Sequence, residues 1–151
     1  MTVTVREIQE QDKAAWLALW QGYQRFYDVA LLAEVTETTW QRFFETHEPV
    51  HARVAVDGDR IVGIVHYLFH RSTWMIEPTC YLQDVFVEPA ARGRGVARAL
   101  IEAVYKEADR RGGRQVYWLT HNTNTAARGL YDKLAINAGF IVYERIAELN
   151  G

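Results

Sequence analysis

The chain lacks most of the features that would assign it to a class at a glance. Cys80 is its one cysteine in 151 residues, so no internal disulfide can form and a reducing compartment is the natural setting. No charge of either sign is in excess. The 17 Lys and Arg stand against 19 Asp and Glu, a net charge of -2, which gives no electrostatic case for a basic face on nucleic acid or membrane. No stretch approaches the ~20 apolar residues of a membrane span. The opening MTVTVREIQE alternates apolar with polar and lacks the continuous apolar core of a signal peptide. A cytoplasmic location is the expectation. No repeat, low-complexity tract or linker interrupts the chain.

What is present suits a packed globular protein. Hydrophobic residues make up 49% and aromatics 13%, enough for one domain over residues 1–151 with a real core. Val3, Val5 and Ile8 alternate as a first strand. Asp12 is placed to cap a helix carrying Trp16, Leu17, Trp20 and Tyr23 at helical spacing. A second helix is expected from Thr36 to Phe44, with a loop or a short turn of helix over 28–35 before it. The runs 52–56 and 61–69, joined by Asp57-Gly58-Asp59-Arg60, predict a hairpin. A strand follows from Cys80 to Val87, stopped by Pro89, then an amphipathic helix from Gly95 to Arg111 that ends at Gly112-Gly113. A strand over 116–120, a helix from Asn124 to Leu134 and a last strand over 140–146 complete the order β-α-α-β-β-β-α-β-α-β. That order predicts an α/β (α+β) fold with a central mixed sheet.

The informative stretch runs from Tyr81 to Ala97, a strand leading through a loop into a helix N-terminus. Gly93 and Gly95 let backbone N–H groups approach a ligand, and the first helical turn offers unpaired donors and a positive dipole end suited to pyrophosphate. Arg92, Arg94 and Arg98 add positive charge there. A short Gly-Arg-Gly alone is equally an ordinary helix-capping turn. It is neither a P-loop, for want of a Lys-Ser/Thr pair, nor a dinucleotide GxGxxG, for want of a third glycine.

With Arg92-Gly93-Arg94-Gly95-Val96-Ala97 after a strand, the sequence resembles the GNAT superfamily of N-acetyltransferases, whose acetyl-CoA signature is Arg/Gln-x-x-Gly-x-Gly/Ala. A second signature follows in order: Asn124 opening a helix, Leu130-Tyr131-Asp132-Lys133, then Gly139-Phe140. The resemblance implies a GNAT fold with helices on both faces of the sheet. It implies two splayed parallel strands between which the acetyl-CoA arm pairs with the backbone of Val85, Phe86 and Val87. It also places Arg92, Gly93, Arg94, Gly95, Val96, Ala97 and Arg98 in a phosphate loop, and Asn124, Ala127 and Lys133 on the cofactor side. No metal is implied.

Acetyl transfer from acetyl-CoA by direct attack, through a tetrahedral intermediate, needs the amine deprotonated. An alkyl ammonium has a pKa of about 10, so a base or a water chain must take its proton. A strand N–H, of Phe86 or Val87, could hold the oxyanion. An acid must then meet the leaving thiolate. Tyr131, whose family counterpart sits beside the cofactor sulfur, is the candidate for that acid; without the resemblance it reads as a packing aromatic. The stretches 67–74 and 81–87 resemble the spermidine/spermine (diamine) acetyltransferase branch, which carries a catalytic glutamate where this chain has Gln83. Gln83 cannot accept a proton at neutral pH. Either Asp84 or a water chain substitutes, or the substrate differs; Asp84 is equally readable as a structural acid paired in the sheet.

The same resemblance makes the segment from Tyr27 and Asp28 to Glu37 one wall of the acceptor site. Asp28, Glu34 and Glu37, with Trp40 and Trp74, are candidates to receive a cationic amine, although the acids also read as helix-cap and surface residues. A polyamine or other small primary amine is the expected substrate, with a protein or peptide amine as the alternative. A non-catalytic acyl-CoA sensor and an α/β nucleotide-binding protein are further readings. A homodimer is expected, because room for about one strand follows the last helix where the family often has two. His66 and His70 cannot share a metal from one strand, being about 13 Å apart. His121, just past a strand end, is a candidate base or substrate contact but reads first as a solvated loop residue, and Cys80 as a small buried one.

Overall fold

The computed structural model describes residues 2–147, and the chain divides into two compact units, Met1–Leu119 and Thr120–Gly151. In the first unit the elements run β1 (Val3–Glu7), α1 (Lys13–Phe26), α2 (Ala33–Arg42), β2 (Val50–Asp57), β3 (Arg60–His70), β4 (Thr79–Val87), α3 (Val96–Arg110) and β5 (Gln115–Tyr117). The strands form one sheet in the order β1-β2-β3-β4-β5. The first three pairings are antiparallel and the last, β4 with β5, is parallel. The sheet is mixed, as the element order predicts.

Helices cover both faces. On one, Trp16, Leu19 and Trp20 of α1 and Trp40 of α2 pack with Ala52, Val54, Ile64 and Phe86 in a single buried cluster. On the other, α3 buries Val96, Leu100, Ile101 and Val104. Gly63 in β3 makes that second contact possible, since a Cβ there would lie 3.1 Å from both Leu100 Cδ1 and Val96 Cγ1. The expected hairpin forms between Asp57 and Arg60, with Gly58 at φ +64° supplying the left-handed turn residue.

Three expectations need correction. Asp12 stands at the N-cap of α1 but its side chain does not bond the helix: its carboxylate accepts from Arg6 at 2.7 and 3.0 Å and from the Gln9 N–H at 2.8 Å, closing the 3-10 turn before the helix. The second helix starts at Ala33 rather than Thr36, because Leu32 in an extended conformation serves as N-cap and the Val35 and Thr36 N–H groups both donate to its carbonyl. The last strand, 140–146, is not formed. A strand needs a ladder, and the β-prone run Phe140, Ile141, Val142 and Tyr143 alone supplies none; Phe140, Tyr143 and Ile146 are more than 80% exposed.

Among the described residues the second unit contains one regular element, α4 (Thr125–Leu134). Asn124 is its N-cap, with Oδ1 accepting from the Ala127 N–H at 3.4 Å. Among the described residues no helix is long and apolar enough to cross a membrane.

Candidate active site

The β3–β4 ladder carries an irregularity at the position that matters most. His66 stands opposite Asp84 and Tyr67 opposite Leu82, so Gln83 is one extra residue on β4 with no cross-strand partner. Gln83 is exposed, whereas the Asp84 side chain is 12% exposed and faces the α1 side of the sheet.

Asp84 sits in a shell of aromatic and imidazole groups. Nδ1 of His66 lies 3.0 Å from its carboxylate, and the Tyr23 phenol is near enough to feel its charge. Burial, then the negative charge of Asp84, pushes the Tyr23 phenol well above its ordinary range. The same two causes in the same order raise Tyr27, the residue closing α1, and Tyr81 on β4. Tyr23 and Tyr27 pack at 4.8 Å between ring centroids, and Tyr81 stacks on Tyr117 at 4.9 Å. One carboxylate bordered by three tyrosines suits a cationic amine, by charge and by cation–π contact.

The parallel pairing of β4 with β5 covers only Thr79↔Gln115, Cys80↔Val116 and Tyr81↔Tyr117. Beyond it, β4 continues to Val87 with β3 as its only ladder partner among the described residues. The Glu88 N–H donates to the Val62 carbonyl at 2.9 Å, and alternation along an antiparallel ladder then points the N–H groups of Phe86 and Asp84 at β3 as well. Val85 and Val87 point theirs the other way. Of the two expected oxyanion donors, Phe86 is committed to the sheet and Val87 faces the splayed side. The Val87 carbonyl is taken by Arg92 Nε at 3.1 Å.

The loop after β4 has the form the glycines imply. Gly93 and Gly95 adopt φ +76° and +80°, with open space where a Cβ would point, so the dihedral and not crowding demands glycine. Gly95 is the N-cap of α3 and no side chain caps that helix, leaving first-turn N–H groups, those of Val96, Ala97 and Arg98, for an anion. Arg94 is exposed there. Arg98 pairs with Glu102 at 2.9 Å, and the Arg92 guanidinium lies over Phe26 and Phe86 at 5.7 and 5.3 Å. Backbone donors, more than Arg92, are what this loop offers an anion. The open β4 edge and the uncapped helix fit a pantetheine arm and a pyrophosphate respectively.

The predicted acceptor wall is only partly assembled. Asp28 is an exposed turn residue at φ 54°, Glu34 lies exposed in the first turn of α2, and Glu37 pairs with Lys13 at 2.8 Å. Trp40 is buried against Trp16 at 5.1 Å and cannot meet a substrate. Trp74 is 87% exposed in the β3–β4 connection. His66 and His70 part company as their strand spacing requires: His70 Nε2 meets the Tyr117 hydroxyl at 2.8 Å. Cys80 is fully buried and burial pushes its thiol up to about 12. Sequence reasoning missed Tyr23 and weighed His66 only as a metal ligand; the pairing partner of His66 across the ladder was the signal, and no local pattern carries it.

In the second unit, Tyr131 is half-buried on α4, and Asp132 and Lys133 beside it are exposed. Asn124 serves as the helix cap, its Nδ2 also reaching Thr120 Oγ1 at 3.4 Å. Ala127 is the residue whose N–H that cap receives.

Comparison with known proteins follows these features. Residues 15–136 match the model of the acetyltransferase (GNAT) family. A D-amino-acid N-acetyltransferase of Saccharomyces cerevisiae, HPA3, is 38% identical over 146 residues, covering 95% of this chain and 90% of its own. The uncharacterized N-acetyltransferase YhfO of Bacillus subtilis is 27% identical over 143 residues, covering 93% of this chain and 95% of its own. Among solved structures, aminoglycoside acetyltransferase AAC(6')-Iy in complex with a CoA-linked bisubstrate analog superposes with a TM-score of 0.84 at 17% identity, covering 97% of this chain and 99% of that one.

Proposed function

Because this chain belongs to the GNAT acetyltransferase family, and so is an acetyl-CoA-dependent N-acetyltransferase, we propose that its acceptor is a small primary amine deprotonated at Asp84. The observation that carries this is the placement of one carboxylate, reached by few solvent molecules, among Tyr23, Tyr27 and Tyr81. An ammonium drawn into that shell gives its proton to Asp84 and becomes a nucleophile.

Acetyl-CoA supplies the activated acetyl group. The N–H of Val87, aimed away from β3, is the donor for the oxyanion. The first turn of α3 and the Gly93–Gly95 loop hold the pyrophosphate. Tyr131 returns a proton to the departing thiolate, an assignment supported by its place in the Leu130-Tyr131-Asp132-Lys133 pattern. Asn124, Ala127 and Lys133 stay on the cofactor side of this reading. Gln83, exposed and outside the ladder, is given no proton to move.

The acceptor is either a polyamine, on the diamine-branch pattern of 67–74 and 81–87, or an amino acid, a reading favoured by the name of the 38%-identical yeast relative. Thialysine N-epsilon-acetyltransferase of Bos taurus, 34% identical over 77 residues, also bears on the choice, though it covers only 51% of this chain. A thiol-release assay with acetyl-CoA against spermidine, putrescine, D- and L-amino acids, aminoglycosides and a basic peptide decides. Turnover of the peptide alone would overturn the small-amine reading.

One domain, a cytoplasmic setting and a homodimer belong to the same proposal. The family match runs through both units, which supports a single domain. Exposed apolar residues at Phe140, Ile141, Tyr143 and Ile146 are what a second copy could cover. A monomer mass in solution at micromolar concentration would count against the dimer.

A further inference from the structure

We propose that His66 is a positioning residue for Asp84, fixed by Trp16 as the neutral imidazole with its proton on Nδ1, so that Asp84 meets the amine with its charge undiminished. The inference rests on the reading of Asp84 as the base.

Geometry supplies the argument. The indole Nε1 of Trp16 lies 2.9 Å from Nε2 of His66, and Nδ1 of the same ring lies 3.0 Å from the Asp84 carboxylate. An indole N–H can only donate, so Nε2 must accept and carries no proton. The ring proton then sits on Nδ1, where it donates to Asp84. A proton added at Nε2 would face the Trp16 N–H head-on. The pair therefore does not become imidazolium and carboxylate, a combination with no net charge. It stays a neutral donor on a full anion, the form that attracts an ammonium.

The imidazole has no room to choose another arrangement. His66 is 4% exposed, and the rings of Trp20 and Phe43 lie 4.8 and 5.1 Å from its own. A buried histidine satisfied by two partners is common in cores. What distinguishes this one is that its second partner is the carboxylate whose charge reaches Tyr23, Tyr27 and Tyr81, and stands directly opposite it in the ladder beside the bulge. The His66 Nδ1–H holds one side of the carboxylate, leaving further lone pairs for substrate.

The test joins a spectroscopic and a kinetic measurement on the full chain. Nitrogen-15 NMR of the imidazole in the wild type should show His66 protonated at Nδ1 and bare at Nε2, and Trp16→Phe should lose that single form. His66→Leu should lower kcat for the amine about 10- to 100-fold with KM for acetyl-CoA unchanged. His66→Asn, which keeps an N–H donor near the Nδ1 position, should recover most of the loss. A wild-type ring protonated at Nε2, or a folded His66→Leu with undiminished kcat, overturns the proposal. Should His66→Leu not fold, the tautomer and the His66→Asn kinetics decide alone. Full turnover by Asp84→Asn would overturn the base assignment instead, and the tautomer measurement, independent of turnover, tells the two failures apart.

Discussion

Asp84 stands opposite His66 across the β3–β4 ladder, and its immediate neighbour Gln83 stands opposite nothing. A single inserted residue thus divides two adjacent polar side chains between an enclosed shell and solvent. The acid faces the tyrosines; the amide does not share its ladder position.

Asp84→Asn should cut kcat/KM for the amine by about 10²- to 10⁴-fold, the range of a lost general base, and leave acetyl-CoA binding near wild type. Gln83→Ala should change it less than about threefold. Steady-state kinetics with calorimetric acetyl-CoA titration checks both, and the reverse ranking would move the base to Gln83 and a water held there.

Tyr131→Phe removes only a hydroxyl from α4. A loss in kcat of about 10²-fold, with Tm within a degree or two of wild type, is expected if that hydroxyl protonates the thiolate. An equal kcat would return Tyr131 to a packing role.

Gly95→Ala and Gly129→Ala should act in opposite directions. Gly95 sits at φ +80°, so a Cβ there costs about 1 kcal/mol by dihedral alone and lowers Tm by roughly 2–4 °C. It should also raise KM for acetyl-CoA by disturbing the N-cap of α3. Gly129 lies within α4 with no heavy atom within 4 Å of a Cβ position, and alanine there should stabilise by about 0.5–1 kcal/mol. Thermal melts of the two variants side by side are enough.

Acid should attack the α3 face of the sheet through Glu107. Hydrogen bonds from Arg110, and then from Arg111, hold its carboxyl near 2, against an ordinary 4.5. A depressed carboxyl contributes stability in full above the ordinary value and loses it as pH falls through about 4.5 toward 2. That contribution is at most about 3 kcal/mol, and less to the extent that Arg110, 68% exposed, is screened by solvent. Glu107→Gln should therefore melt lower than wild type at pH 7, with the gap narrowing by pH 3. A constant gap would assign the loss to packing.

The strand, glycine loop and helix from Tyr81 to Arg110 were readable from residues because each element there is fixed by local chemistry: alternation, positive-φ glycines, and helical spacing of Val96, Leu100 and Val104. The hairpin at Gly58 was legible for the same reason. What escaped reading was long-range. Trp16 and His66 are 50 residues apart, and nothing near either one names the other. Trp40 looked available to a substrate until α2 turned it inward. The stretch 140–146 has β-prone residues but pairs with nothing described, so composition without a partner does not make a strand.

The burial of Cys80 has a practical side. Its thiol, enclosed in β4 and held at about 12, contributes almost no thiolate near neutral pH and is the only one in the chain. A cysteine introduced at an exposed position, such as Thr73→Cys beside Trp74, would then be the sole group open to a maleimide dye. Fluorescent or spin labels could report on amine capture from the β3–β4 connection with the native chain otherwise untouched.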